Sequence, residues 1–186
     1  MFLLAGLGNK GKKYSDTRHN VGFKVIDKLV SHYEFITEKK TLNSQIFRGV
    51  INENKIILLK PMTFMNNSGK SVLEISSFYK IPKNRIFIIH DDIDLSIARV
   101  KVKCGGGDGG HNGIKSIDQY ISKNYYRIRV GIGKPENFIQ VKDYVLKRFT
   151  TNEKNKINKK TDILIENISY LLKNDINNFL NIISRD

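Results

Sequence analysis

The apolar residues of this chain follow two periods, and the change from one period to the other predicts an alternation of strands and helices. Residues 1–5 form an apolar run typical of a buried strand, and residues 21–33 carry apolar side chains at helical spacing. Between them the sequence is rich in glycine and in side chains that form hydrogen bonds. We therefore expect a strand, a loop and a helix, and loops held by such elements commonly carry functional residues.

A hairpin and a second helix are predicted next. Residues 45–51 and 55–60 favour strands on either side of Asn52-Glu53-Asn54, which is typical of a turn. The polar residues 34–44 before this hairpin are expected to form a connection. Pro82 ends the second helix, whose apolar positions are Val72, Ile75, Phe78 and Tyr79.

Strand and helix signals continue in the second half of the chain. Residues 86–89 form an apolar strand that runs into an acidic cluster beginning at His90. Strict alternation over residues 98–103 and 126–132 predicts two half-buried strands, each with basic side chains on one face. A helix between them follows a glycine-rich segment and starts near Asn112, with the inward positions Ile114, Ile117, Tyr120 and Ile121.

Two amphipathic helices are predicted after Asn152. Their core positions are Ile157, Leu164, Ile168 and Leu171 in the first and Ile176, Phe179, Leu180 and Ile183 in the second. Residues 138–149 fit neither period clearly. Because no repeat or linker interrupts the chain, we expect residues 1–186 to form a single α/β domain. The expected architecture is a mixed, twisted sheet flanked by helices in three layers.

The net charge of +14 favours a polyanionic partner such as a nucleic acid or an anionic membrane surface. A genomic bias towards Lys, Asn and Ile would raise the charge as well, so the positions of the charges matter more than their sum. The single cysteine, Cys104, excludes an internal disulfide and fits a reducing compartment. No apolar run is long enough to span a membrane, and we see no signal peptide, so we expect a cytoplasmic protein.

Two glycine motifs suggest nucleotide binding, and both fit poorly. Residues 6–11 match a dinucleotide fingerprint after a strand, but a long polar loop precedes the helix that should meet the pyrophosphate. Gly69-Lys70-Ser71 resembles the end of a P-loop, but Phe64 occupies the position of its first glycine. The four histidines lack the close spacing of a zinc site, so we expect no metal.

Among the histidines, His19 is the best candidate for a general base. Its loop also carries Asn9, Tyr14 and Arg18, and Asp91 is a candidate partner that would hold one tautomer of the ring. His32 and His90 have structural interpretations that are at least as good, and shaping its loop is the alternative role for His111. The sequence alone does not establish that Asp91 reaches His19.

Taken together, these residues resemble the bacterial peptidyl-tRNA hydrolase family. The matching segments, in the family's order, are residues 6–9, Tyr14 with 17–22, 63–66 with 68–70, 90–91 with 94–95, 101–103, 109–113 and 127–133. Two departures are visible, since the family usually has proline at the position of Lys10 and commonly histidine at that of Asp108. Both positions shape loops, so they affect loop geometry more than chemistry.

The resemblance implies hydrolysis of the ester that joins a peptide to the terminal ribose of tRNA, which recycles tRNA from aborted translation. It implies a monomer with no cofactor, no obligate protein partner and no membrane partner. His19 would take a proton from water, Asp91 would stabilise its basic form, and Asn9 would distinguish N-blocked from free aminoacyl-tRNA. The groove for the peptide and the tRNA end would be lined by Tyr14, Phe64, Met65, Asn66 and Asn112.

The resemblance also gives the cationic strand faces a role. Lys101, Lys103 and Arg129 are expected to face tRNA phosphate, and Arg99 and Arg127 are weaker candidates on the same strands. Solvated strand faces without a partner are the alternative for each residue. For the whole chain, the alternatives are a non-catalytic RNA-binding relative and, from the glycine motif alone, a nucleotide-dependent enzyme.

Overall fold

The computed structural model describes residues 1–40, 43–135 and 139–185, and it contains both strands and helices. The strands are β1 (Phe2–Gly6), β2 (Ile36–Lys40), β3 (Ser44–Ile51), β4 (Asn54–Pro61), β5 (Ile86–Asp92), β6 (Val100–Cys104) and β7 (Tyr126–Gly131). The helices are α1 (Val21–His32), α2 (Ser68–Phe78), α3 (Asn112–Ile121), α4 (Val141–Val145), α5 (Thr151–Glu166), α6 (Ile168–Leu172) and α7 (Ile176–Ile183).

The described strands form one mixed sheet in the order β2-β3-β4-β1-β5-β7-β6. The central strand β1 pairs in parallel with β4 and β5, and β7 adds to β5 in parallel. The strands β2, β3 and β6 pair antiparallel with their neighbours. The carboxyl ends of β1, β5 and β7 therefore meet at one edge of the sheet, where α/β proteins commonly bind their ligands.

Both faces of the sheet are covered by helices. Leu4 packs in a cluster with residues of α1 and α5–α7, whereas its neighbours Leu3 and Ala5 pack on the opposite face with α2 and α3. This division follows from the alternation of side chains along a strand. The predicted three-layer α/β architecture is confirmed.

The hairpin prediction was right, but the connection before it was wrong. Asn52 and Glu53 form the turn with positive φ angles of 43° and 67°, and β3 and β4 flank it. Residues predicted to be a connection form β2 instead, an edge strand paired only with β3 among the described strands. An edge strand can be polar because it buries little surface, so its sequence lacks the apolar signal of an inner strand.

The helix predictions need three corrections. Phe78 and Tyr120 are exposed by 76% and 45%, respectively, rather than turned inward, and Tyr120 covers Gly69 of α2. The C-terminal segment contains three helices, because α5 ends at Glu166. The side-chain amide of the next residue, Asn167, donates to the Ile163 carbonyl at 2.9 Å. The apolar periodicity continues across this break, which is why the sequence pattern suggested a single helix.

The ambiguous segment 138–149 contains the short helix α4, while residues 136–138 lie outside the described part of the chain. Ile132, Tyr144 and Val145 form a small apolar cluster beside the sheet edge. In the described ranges, no helix combines the length and the apolar character needed to cross a membrane.

Candidate active site

The site is built where the carboxyl ends of β1 and β5 lie side by side. Gly6 at the end of β1 is in register with Ile89 of β5, so the loop after β1 lies against residues 90–92. A 3-10 turn over Arg18–Asn20 then leads directly into α1. His19 in this turn and Asp91 at the end of β5 are thereby brought together although they are 72 residues apart.

The glycines of the loop serve this packing. A Cβ atom on Gly6 would lie 2.2 Å from the carbonyl oxygen of Gly22 in α1, and one on Gly8 would lie 2.6 Å from the Phe23 ring. The space beside both glycines is therefore filled by α1. A dinucleotide-binding loop needs that space for a pyrophosphate, so the geometry argues against the nucleotide interpretation of residues 6–11.

One carboxylate is shared by two imidazole rings. His19 Nδ1 lies 2.9 Å from each oxygen of Asp91, and His111 Nε2 lies 2.9 Å from Asp91 Oδ1. The exposed fraction of the Asp91 side chain is 2%, while those of His19 and His111 are 12% and 9%. Asp91 thus lies at the base of the site, and the two histidine rings are partly exposed above it.

The hydrogen-bond pattern assigns the protons. His111 Nδ1 accepts hydrogen bonds from the main-chain N–H groups of Gly113 and Ile114, so it carries no proton. Its Nε2 must therefore carry the proton and donate to Asp91. An ionised Asp91 can only accept, so His19 Nδ1 also donates to it. The neutral His19 ring then has its lone pair on Nε2, which is the arrangement of a general base.

The ionised form of Asp91 is favoured by its neighbours. Burial alone would raise the pKa of this carboxyl, but the adjoining rings of His19 and His111 more than offset burial and hold the pKa well below its usual range. The acceptor role inferred from geometry therefore agrees with the expected charge.

His19, Asp91 and His111 are also the described residues whose ligand atoms come close enough to hold a metal ion, all within 4.8 Å of one another. These residues fit a metal poorly. His111 Nε2 carries a proton, so it has no lone pair with which to bind a metal ion. The arrangement is better explained as a hydrogen-bonded triad.

His90 is a neutral structural neighbour of the triad. Its Nδ1 donates to the Asp91 carbonyl at 2.7 Å, and its ring packs edge-on against His111. Burial, together with the nearby His111, lowers the pKa of His90 to about 3. A ring that is uncharged at neutral pH adds no positive charge beside His19.

Asn9 is held by a network that joins two loops. Its main-chain N–H donates to Asn20 Oδ1, and its main-chain carbonyl accepts from Asn20 Nδ2, each at 2.9 Å. Its side-chain Oδ1 accepts from the Met65 N–H at 2.9 Å. Met65 is buried and lies beside Gly113, which follows His111 and Asn112. Asn9 Nδ2 makes no hydrogen bond within the described residues, so its two hydrogens are available to a ligand.

The remaining predicted groove residues lie on the surface around this network. Asn66 is exposed beside Met65, Asn112 is exposed in the first turn of α3, and Phe64 is 53% exposed with Lys10 over its ring. Tyr14 is half-buried in the loop of His19 and makes no side-chain hydrogen bond with another described residue. These side chains border the site without contacting the triad by hydrogen bonds.

A cavity of about 500 Å³ opens beside the triad. Lys103 and Arg129 line it together with His19, Asp91 and His111, and Arg129 pairs with Asp92 at 2.6 Å. Lys101 is exposed on the same strand as Lys103 but lines a different groove. The structure thus brings two of the three predicted phosphate-binding residues to the cavity.

The expectation that Arg127 faces tRNA phosphate needs a correction. Its side chain is 1% exposed and binds Asp118 at 2.8 Å and the carbonyl oxygens of Gly106 and Gly107. Strand alternation placed it on the face of Arg129 correctly, but the glycine loop folds over it and uses its guanidinium. Arg127 therefore holds the glycine loop in place.

Comparisons with known proteins agree with this geometry. The family described as peptidyl-tRNA hydrolase matches residues 3–186. This chain belongs to that family. A peptidyl-tRNA hydrolase of Rickettsia peacockii is 48% identical over 183 residues, covering 97% of this chain and 100% of the relative. One of Rickettsia canadensis is 46% identical over 182 residues, covering 97% and 98%.

A solved peptidyl-tRNA hydrolase has the same fold. The crystal structure from Acinetobacter baumannii superposes with a TM-score of 0.93 at 35% identity, covering 100% of this chain and 95% of that chain. The sequence resemblance to peptidyl-tRNA hydrolase is confirmed over nearly the whole chain, including the C-terminal helices beyond the motifs. The chain is therefore an enzyme of this family.

Within this peptidyl-tRNA hydrolase site, sequence reasoning undervalued His111 and missed Asn20. His111 stands directly before a predicted helix, and a polar residue there commonly caps the helix. The position of His111 before the helix was therefore the sequence signal for the hydrogen bonds that its Nδ1 accepts from the start of α3. No sequence signal connects Asn20 to the main chain of Asn9, because the 3-10 turn that aims its side chain has no clear pattern.

Proposed function

We propose that this chain hydrolyses the ester between a peptide and the terminal ribose of tRNA, so that tRNA from aborted translation is recycled. Peptidyl-tRNA hydrolase activity follows from the family. The cleavage of this particular ester bond and the roles of the individual residues are what we propose. The observation that carries it is the triad, in which Asp91 orients His19 and leaves Nε2 facing the cavity.

The proposed reaction begins with a water molecule between His19 Nε2 and the ester carbonyl. As the water oxygen bonds to the carbonyl carbon, its proton moves to Nε2, and negative charge develops on the carbonyl oxygen. Collapse of this intermediate breaks the bond to the ribose oxygen, which takes the proton back from His19. The sum is the addition of one water molecule across the ester, with the enzyme unchanged.

Water as the nucleophile agrees with the residues present. No serine, threonine or cysteine is among the described residues that line the cavity. An ester has a good leaving group, so a covalent intermediate is not required for hydrolysis. General-base help of this kind typically contributes about 10²–10⁴ in rate.

Asn9 is proposed to recognise the substrate next to the ester. Its Oδ1 is committed to Met65, which leaves its amide hydrogens as donors for a ligand. An amide donor suits a peptide carbonyl or the developing oxyanion. Asn66 and Asn112 offer exposed amides on the two neighbouring segments, which suits the main chain of an N-blocked substrate.

Lys103 and Arg129 are proposed to bind phosphate of the tRNA end, with Lys101 further along β6. Two of these cations line the same cavity as His19. About three phosphate contacts would make the log–log salt slope of binding near −2 for single-stranded RNA.

The experiment that tests this function compares N-acetyl-aminoacyl-tRNA with free aminoacyl-tRNA as substrates. We expect release of the acetylated amino acid only, and we expect His19→Ala to lower kcat by about 10²–10⁴ because the base is removed. His32→Ala is the matched control, since His32 lies in the last turn of α1 and contacts Tyr33. Normal turnover by His19→Ala would remove His19 as the base.

A further inference from the structure

A second and smaller groove begins beside the catalytic turn. This surface, here named the loop–α1 groove, encloses about 260 Å³. It is lined mainly by residues 9–12 of the loop after β1, by Lys24 and Asp27 of α1 and by Lys60 near the end of β4. The described residues that line it all differ from those that line the catalytic cavity, so it is a separate surface.

Asn9 and Asn20 bring this groove close to the proposed base. Both residues line the groove, and the side chain of Asn20 holds the main chain of Asn9 through two hydrogen bonds of 2.9 Å. Asn20 directly follows His19 in the same 3-10 turn. Because consecutive Cα atoms are about 3.8 Å apart, the groove begins about one residue's length from His19.

The order of strands places the groove on the side of β5 that faces away from the phosphate-binding candidates. The strands β7 and β6, which carry Arg129 and Lys103, lie on one side of β5, and β1 and β4 lie on the other. The loop–α1 groove belongs to the second side, since its residues follow β1 and include Lys60 of β4. The two halves of an ester leave the carbonyl carbon in different directions. If β6 and β7 hold the tRNA end, as in the proposed function, the peptide extends towards the loop–α1 groove.

The loop–α1 groove is cationic, and two of its lysines have no acidic partner. Its described lining contains four lysines and a single carboxylate, that of Asp27. Lys60 pairs with Asp27 at 2.6 Å, and Lys24 pairs with a neighbouring carboxylate at 3.3 Å. Lys10 and Lys12 are exposed and form no ion pair with another described residue. Their charges are therefore available to a ligand.

Lys10 also borders an exposed aromatic ring. Its Nζ lies 5.8 Å from the centroid of the Phe64 ring, and the next residue, Met65, donates its N–H to Asn9 Oδ1. The ring, the amide of Asn9 and the ammonium of Lys10 thus form one stretch of surface. A side chain with a short aliphatic stem and a terminal carboxylate fits it, because the stem packs on the ring while the carboxylate pairs with Nζ.

Phosphate of the tRNA is the competing ligand for these lysines. Its proposed contacts, Lys103 and Arg129, line the catalytic cavity on the β7–β6 side of Asp91. In the loop–α1 groove, two of the four lysines are already neutralised by carboxylates. Two unpaired lysines suit one or two carboxylates better than a run of phosphates, which is bound by a larger field of one sign.

We propose that Lys10 and Lys12 form a subsite for acidic side chains of the peptide, so that the enzyme favours a peptide with glutamate directly before the esterified residue. This inference rests on the proposed function. It makes the loop after β1 a determinant of peptide specificity, through contacts that do not touch the reacting atoms.

The test compares acetyl-Glu-Ala-tRNA with acetyl-Gln-Ala-tRNA, two substrates of the same shape that differ in one charge. The variant is Lys10→Gln/Lys12→Gln. Its matched control is Lys55→Gln/Lys123→Gln, which removes two exposed lysines near the opposite edge of the sheet, where β4 and β7 begin. The quantity measured is kcat/KM of each enzyme on each substrate, over a range of KCl concentrations.

We expect the wild-type enzyme to favour the Glu substrate by about 2- to 10-fold in kcat/KM, because each exposed ion pair contributes a small factor. The Lys10→Gln/Lys12→Gln variant should hydrolyse both substrates equally, and its kcat/KM on the Gln substrate should stay within about two-fold of the wild type. The control variant should keep the wild-type preference. That preference should fall as KCl is raised from about 0.05 M to about 0.5 M, since salt screens exposed charge pairs.

Three results of this assay would overturn the proposal. The first is a wild-type enzyme without a preference, and the second is a preference that persists in Lys10→Gln/Lys12→Gln. The third is a loss of equal size on both substrates in that variant, which would show that the lysines bind tRNA.

Peptide binding without tRNA keeps this test separate from the proposed function. The backbone amide chemical shifts of residues 9–12 are followed by NMR during titration with acetyl-Glu-Ala-amide and with acetyl-Gln-Ala-amide. The Glu peptide should shift these resonances at lower concentration than the Gln peptide does. If the wild-type enzyme hydrolyses neither tRNA substrate, the proposed function fails, and the titration alone decides the subsite. Equal responses to the two peptides would then overturn it.

Discussion

His111 forms hydrogen bonds through both of its ring nitrogens, and the bonds at the two nitrogens have opposite directions. Nδ1 accepts from the first N–H groups of α3, and Nε2 donates to Asp91. The helix start thereby selects the tautomer of His111 that can donate to the carboxylate. We infer that α3 helps to orient Asp91, and through it His19.

Two substitutions separate the roles of His111. His111→Asn keeps a good N-cap but loses the bond to Asp91, whereas His111→Ala loses both contacts. We expect the alanine variant to be less stable than the asparagine variant by about 1 kcal/mol in urea unfolding. Both variants should lose about ten-fold in kcat, since a hydrogen bond to a charged group is worth about 1.5 kcal/mol. Wild-type kcat in His111→Asn would show that only helix capping matters.

The pairing of His19 with Asp91 could be anticipated from residue types, but the details of the site could not. Distant residues meet only once β1 and β5 have paired in a particular register, and no local pattern contains that register. The double use of His111 and the bond from Asn20 to Asn9 depend on side-chain directions in short turns. Arg127 shows the same limit, because a strand pattern cannot show which loop will cover a side chain.

At the scale of elements, apolar periodicity predicted the inner strands and the helices that pack on them. It failed for β2, which is polar at the sheet edge, and at Asn167, where a hydrogen bond ends α5 without a break in the apolar pattern. Both failures occur where burial does not determine the local conformation. The apolar pattern could not predict the order of strands in the sheet either, because that order depends on the crossover connections and not on local sequence.

Arg18 connects the catalytic turn to the start of α5. Its guanidinium donates twice to the Glu153 carboxylate, at 3.0 and 2.8 Å, and also to the Arg148 carbonyl. The rings of Tyr144 and Phe149 lie at 4.5 and 5.1 Å from it. Because His19 is the next residue, we regard Arg18 as a positioning residue that holds the turn in place.

Glu153→Gln is the substitution that tests this role. Loss of the ion pair leaves the buried charge of Arg18 uncompensated, so we expect lower stability and a kcat reduced by about ten-fold with KM little changed. Thr150→Ala is the matched control, since it breaks the α5 cap formed by Thr150 and Glu153 but keeps the ion pair. Both variants should be destabilised, by about 1 kcal/mol in the control. A normal kcat in Glu153→Gln would reduce Arg18 to a purely structural residue.

At the scale of the whole molecule, an excess of positive charge accompanies a buried, uncharged histidine. Lowering the pH adds protons to a chain whose net charge is already +14 at neutrality. Self-repulsion then increases over the whole surface, and it opposes the compact state. His90 adds a specific cost in the same direction, because burial holds its pKa at about 3 in the folded protein.

The stability of the fold should therefore fall as the pH decreases below about 6.5. An unfolded histidine binds a proton with a pKa of about 6.5, so between that pH and about 3 the unfolded state binds more protons at His90 than the folded state does. The sign follows directly: the contribution of His90 is fully present above pH 6.5 and is lost by about 1.4 kcal/mol per pH unit below it.

His90→Asn isolates this contribution in urea unfolding at pH 7.5 and pH 5. Asparagine can keep the donor to the Asp91 carbonyl but does not titrate, so we expect the variant to lose about 2 kcal/mol less than the wild type between these pH values. His32→Asn should follow the wild-type curve, because His32 is exposed. Parallel curves for all three proteins would mean that surface repulsion, and not the buried ring, determines the acid response.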